Sequence, residues 1–99
     1  MTFFEYACSE VSKTYKRCGY SGLGQVARIP GGWVFCADRG PEYDDNHFYA
    51  DDYLFAFEDS KKIQLLDWRS EQYKLLMSKA ELIEVPKEYL SERLRNKIA

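Results

Sequence analysis

Asp44, Asp45, His47, Asp51 and Asp52 place four carboxylates and the chain's one histidine within nine residues. No other stretch gathers so many groups able to bind a metal or move a proton. A calcium loop needs oxygens in fixed alternation, a glycine at its sharp turn and a bidentate acid at its end. The stretch DDNHFYADD has no glycine, and Phe48 and Tyr49 occupy its middle. Zinc takes more His or Cys than a single histidine supplies. Paired carboxylates serve a hydrolase when their surroundings split their pKa values, so a small hydrolase using His47 and the nearby aspartates is the alternative of another class. It lacks a nucleophile: no serine stands in a nucleophile-elbow pattern. The expectation is no catalytic residue, no metal and no cofactor.

The same stretch reads differently as a surface. Residues 38–59 carry eight acids against Arg39 alone, a balance of −7, while residues 1–37 hold four basic and two acidic groups and residues 60–99 nine and six. Charge so localised speaks to partners rather than to fold. Rings can stack bases, but nucleic-acid surfaces set their rings among Lys and Arg that meet phosphates. Here the rings lie among carboxylates, which repel phosphates, so no direct nucleic-acid contact is expected. A protein partner fits better. Tyrosines bury much area with few rotatable bonds, and surrounding acids speed association with a basic surface. The residues expected to bind are Glu42, Tyr43, Asp44, Asp45, His47, Tyr49, Asp51, Asp52, Tyr53, Glu58 and Asp59, with Tyr43 and Tyr49 as anchors. The expected partner is a basic protein, a nuclease toxin or a nucleic-acid-binding complex, whose phosphate site these acids would occupy. The competing reading makes Phe48, Tyr49 and Tyr53 core and the acids a solubilising loop.

Local patterns predict the elements that hold this segment. Thr2 and Glu5 form a capping box, and Phe4, Ala7, Cys8, Val11, Tyr15 and Cys18 recur at helical spacing up to a stop at Gly19. QVARIPGGWVFCAD reads as a hairpin around Pro30-Gly31-Gly32. YLFAFED and KIQLLDW read as a second hairpin around Asp59-Ser60-Lys61. Its first strand sets Tyr53, Phe55 and Phe57 on one face and Leu54 and Ala56 on the other, as a central strand covered on both sides. Ser70 caps a short helix carrying Tyr73, Leu76, Met77 and Ala80, and ELIEV is a brief edge strand or an extended connector. Pro86 suits the first turn of a last helix with the stripe Leu90, Leu94 and Ile98. In that helix Glu88 would lie at the positive end and Arg93, Arg95 and Lys97 at the negative end. The fold expected is α+β: a leading helix, a four-stranded antiparallel sheet from two hairpins with a fifth strand as an option, and C-terminal helices, in one domain over residues 1–99.

The totals agree with such a domain. The chain has 99 residues with 45% hydrophobic and 16% aromatic side chains, enough large rings for a single core. No apolar run approaches the roughly 18 residues that span a bilayer. The start, MTFFEYACSE, lacks a basic region followed by an apolar stretch, so a secretory signal is not expected. Cys8, Cys18 and Cys36 are odd in number and without metal-ligand spacing, which suits reduced thiols in a cytoplasm. The helical spacing puts Cys8 and Cys18 on the apolar stripe.

FEYACSEVSKTY in the leading helix, GGWVF at the end of a strand and YLFAFEDSKKIQLLD in the following hairpin together resemble the YrhB-like immunity proteins of bacteria. In that family a helix precedes a strand of the form Gly-Trp-aromatic-aromatic, and a hairpin with an Asp/Lys-rich turn follows. The likeness covers about residues 3–67. PEYDDNHFYADD replaces the family's connection before the third strand, and the C-terminal helical part has no counterpart. The resemblance implies stoichiometric binding of a cognate toxin, by an acidic protein where the toxin is a nuclease. A phage-encoded, anti-CRISPR-like inhibitor of a host nucleic-acid-binding defence complex is the alternative of the same physical type.

Overall fold

The Thr2 hydroxyl accepts the Glu5 N–H at 3.1 Å while the Glu5 carboxylate accepts the Thr2 N–H at 3.0 Å. This reciprocal pair satisfies two amides that helix geometry leaves open and starts α1, Phe3–Arg17. A computed structural model describes residues 1–38, 40 and 53–98, with backbone alone for 97 and 98. After α1 come β1 (Leu23–Ile29), β2 (Gly32–Ala37), β3 (Leu54–Phe57), β4 (Lys62–Gln64), α2 (Glu71–Ser78), β5 (Glu81–Ile83) and α3 (Glu92–Ile98). The strands form one antiparallel sheet in the order β4-β3-β2-β1-β5. The α+β expectation is met, and ELIEV supplies its fifth strand by pairing with β1.

Strand alternation divides the apolar residues between two faces. Trp33, Phe35, Ala37 and Ala56 meet Ala7, Cys8, Val11 and Tyr15 of α1. Ala27, Ile29, Val34, Cys36, Tyr53 and Phe55 meet Leu76 of α2, with Tyr73 and Met77 packed alongside. α2 therefore carries the chain from the β4 edge, over the face opposite α1, to the β5 edge. Covered on both sides, β2 is buried along its whole length. β3 is also an interior strand covered on both faces, as expected, with Ala56 in the α1-side core and Tyr53 and Phe55 in the α2-side core. The turn between β1 and β2 consists of Pro30 and Gly31, and Gly31 takes the positive φ of 82° that the second position of a type II turn requires.

An irregularity at the start of β1 shapes this end of the sheet. The β1–β2 register pairs Leu23 with Ala37 and Gln25 with Cys36, so Gly24 is an extra residue, a bulge. The bulge changes the phase of alternation and turns Leu23 into the α1-side core. Only glycine suits the position, because a Cβ there would lie 2.9 Å from both the N and the Cα of Asp38.

Four expectations need correction. β1 starts at Leu23, ahead of the expected Gln25, through that bulge. β4 ends at Gln64, and Leu65 and Trp68 beyond it are exposed. Cys18 is the exposed C-cap of α1 rather than part of its stripe, since the helix ends one residue before it. The last helix is not continuous from Pro86. That proline leads only a short 3₁₀ turn, Lys87–Tyr89; Leu90 is extended, with ψ of 149°, and bridges to Leu23, so α3 begins afresh at Glu92.

None of the three cysteines is in a disulfide, and their thiols differ sharply in environment. Burial, with smaller effects of Glu5 and Glu88, pushes the Cys8 pKa up to about 12. Native protein titrated with a thiol reagent should therefore modify Cys18 promptly, and Cys8 and Cys36 only after unfolding. Prompt native-state labelling of Cys8 would contradict this packing.

Candidate protein-interaction site

Between Pro41 and Asp52 the sequence has five acids and no Lys or Arg. The predicted residues Glu42, Tyr43, Asp44, Asp45, His47, Tyr49, Asp51 and Asp52 lie outside the described residues, as does Phe48. What the structure describes is how the two ends of this connection are held.

At the leaving end, Asp38 follows β2 directly. Its N–H donates to the Gly22 carbonyl at 2.8 Å. Its carboxylate is almost wholly removed from water, with the side chain 1% exposed. Burial raises the energy of an ionised carboxylate by several kcal/mol unless donors surround it. Here the donors converge. Arg93 forms a fork, Nη2 to Oδ1 at 2.6 Å and Nε to Oδ2 at 3.1 Å. The Ser91 hydroxyl donates to Oδ2 at 2.6 Å and the Gly40 N–H to Oδ1 at 3.1 Å. Burial pushes the Asp38 pKa up, but the bonds from Arg93, Ser91 and Gly40 and the Arg93 charge outweigh it and leave the value below normal.

The break after Tyr89 explains why Arg93 is available. Ser91 N–H donates to the Leu23 carbonyl at 3.0 Å, fixing the chain beside the β1 bulge. Ser91 Oγ then accepts the Leu94 N–H at 3.4 Å as α3 begins. Arg93 thus sits in the first turn of α3, where the helix dipole opposes a cation. It was expected to favour the negative end; Asp38 supplies the compensating charge instead.

At the returning end, Tyr15 of α1 reaches the last pair of the β2–β3 ladder, Phe35 with Leu54. Its hydroxyl donates to the Phe35 carbonyl at 2.9 Å and accepts the Leu54 N–H at 3.3 Å. The phenol thereby joins the two strands where they part. Tyr53, expected at the partner surface, is 5% exposed and belongs to the α2-side core. Strand alternation turns it to the same face as Phe55, where its ring stacks on Tyr73 with centroids 6.2 Å apart.

Glu58 and Asp59 are exposed but stand apart from these anchors. They follow the far end of β3, where the Glu58 N–H donates to Gly31 in the β1–β2 turn at 2.9 Å. The Glu58 carboxylate lies 3.6 Å from the Lys61 ammonium. Three strand steps, about 10 Å, separate Leu54 from Phe57, so these two acids stand a strand's length from the point where the chain returns to the sheet. Of the eight acids in residues 38–59, Asp38 is neutralised internally and these two sit at the other end of the sheet, which leaves the five between Pro41 and Asp52.

Among the described residues there is no group of three or more His, Cys, Asp or Glu placed to hold a metal, and no helix long and apolar enough to cross a membrane. The Asp38–Ser91–Arg93 set escaped sequence reasoning because its members stand 53 and 55 positions apart. No periodicity links such residues. No protein-family model, curated protein or solved structure matches the chain.

Replacing Arg93 by Ala should cost about 3 kcal/mol, the lower end for breaking a buried pair, because a quarter of that side chain already meets water. The depressed Asp38 pKa gives stability that is complete above the unfolded-state value of about 3.9 and lost as pH falls through the lower folded value. Urea unfolding of the wild type and of Asp38→Asn should therefore differ most near neutrality and converge in that acid window. A gap independent of pH would refute the ionised pair.

Proposed function

We propose that the chain is a non-enzymatic cytoplasmic inhibitor, an immunity protein that binds and neutralises a toxin nuclease through the acidic, tyrosine-bearing connection between β2 and β3. The observation that carries this reading is the separation of charge from fold. The fold closes both ends of the connection with its own groups, Asp38 on Arg93 of α3 and Leu54 on Tyr15 of α1. The five acids between Pro41 and Asp52 have no Lys or Arg in their own stretch of sequence. A run of like charges repels itself, and a folded protein gains no stability from it. A basic groove that normally takes phosphates relieves that repulsion and is drawn to it from a distance. The likeness to YrhB-like immunity proteins over residues 3–67 points the same way. Tyr43 and Tyr49 are assigned as the anchors, their rings buried at the interface and their hydroxyls left to hydrogen-bond.

Affinity capture from the native host supplies the partner, and binding kinetics with it test the reading. Attraction between exposed charges is screened over about 8 Å at physiological salt, so association should slow as salt rises. Replacing Asp44, Asp45, Asp51 and Asp52 together by Asn should slow association on the order of tenfold without unfolding the protein. Tyr49→Ala should act mainly on dissociation, by about 2 kcal/mol. Unchanged, salt-insensitive kinetics in the fourfold variant would reduce the segment to a solvated loop.

A further inference from the structure

α1 and α2 each set apolar side chains into one of the two core clusters, and no described side chain of α3 enters either. Leu94, the buried apolar residue of α3, stands outside both. A helix of seven residues does not hold its shape alone, so α3 is helical only while docked. Ahead of it, Leu90 bridges to Leu23 and the Ser91 N–H donates to the Leu23 carbonyl. The Ser91 hydroxyl and the Arg93 fork then end on one carboxylate, that of Asp38.

Loss of the contacts on that one group frees the start of α3 and its first turn at once, and it leaves both cores packed as before. The docked state also carries a cost. Among the described residues Arg95 Nε is a buried side-chain donor with no hydrogen-bond partner, and such a donor destabilises a fold until water reaches it. Undocking lets water reach Arg95 and the Asp38 carboxylate together. Regions held by few buried apolar contacts are the ones that open at a free energy below that of global unfolding. We propose that α3 is a latch that undocks as a unit while the sheet stays folded, and that undocking turns Asp38 from the partner of Arg93 into a solvent-facing acid at the head of the β2–β3 connection. Use of that acid by a basic partner rests on the function proposed above; the undocking itself does not.

Native-state hydrogen exchange of the whole chain, ¹⁵N-labelled and free of any partner, tests the latch without reference to binding. Two amides report on it: that of Ser91, bonded to the sheet at Leu23, and that of Arg95, bonded to the Ser91 carbonyl within α3. They should share one protection factor and a weak dependence on urea, and exchange at least about tenfold faster than the β2 amides. Asp38→Asn should speed both by the same factor, at least about tenfold, because it removes the charge on which the docked state closes. Arg93→Gln, which leaves β2 unaltered, should do the same. The proposal is overturned if Ser91 and Arg95 exchange only with β2, at its rate and its urea slope, since α3 would then leave only on global unfolding. It is equally overturned if Ser91 stays as protected as β2 while Arg95 exchanges, which is fraying from the chain end, or if both variants leave the two amides unchanged.

Discussion

A carboxylate at the end of the middle strand, closed off from water, stays ionised only where donors meet it, and Asp38 finds them in Arg93, Ser91 and Gly40. Much of the molecule's C-terminal third is arranged around that requirement. Arg93 reaches Asp38 because α3 starts at Glu92, and α3 starts there because Leu90 is extended against Leu23. Leu23 faces that way because the Gly24 bulge changes the phase of β1, and the bulge admits only glycine because Asp38 passes so close. Each step constrains the next, and the chain of constraints returns to Asp38. A seven-residue helix, too short to be stable alone, is thereby tied to the centre of the sheet.

Tyr15 does the matching work from the other face. A phenol in the ladder ends the β2–β3 pairing without leaving the Phe35 carbonyl or the Leu54 N–H unsatisfied, which is the condition for parting two strands inside a protein. The connection can then carry a composition no core would accept. Five acids stand there without a Lys or Arg in their stretch, and on the proposed function a basic partner removes their mutual repulsion. On that proposal fold and recognition fall to different residues, and the division lies at Asp38 and Tyr53.

Local physics made much of this legible. The Thr2–Glu5 capping box, the helical recurrence from Phe4 to Tyr15, the Pro30-Gly31 turn and the Ser70 cap are all determined by near neighbours, and each stands where those neighbours place it. The errors share a cause in longer range. Pro86 is a good helix start locally, yet pairing of Leu90 with Leu23 interrupts it. Cys18 fits the helical period but falls just past the end of α1. Tyr53 lies in a strongly acidic stretch of sequence, while its place in the sheet puts it against Tyr73. Charge density along a chain is easily read; its distribution over a fold depends on where each strand ends.

A basic partner that covers the connection between Asp38 and Tyr53 must shield the backbone of that stretch from solvent. Hydrogen exchange of the whole protein, free and bound to its captured partner, tests this most directly, because it reports where on the chain protection appears. New protection is predicted in peptides spanning residues 41–52, with α1 and the middle of the sheet unchanged. Protection confined to α2 or α3, with residues 41–52 exchanging as in the free protein, would contradict it.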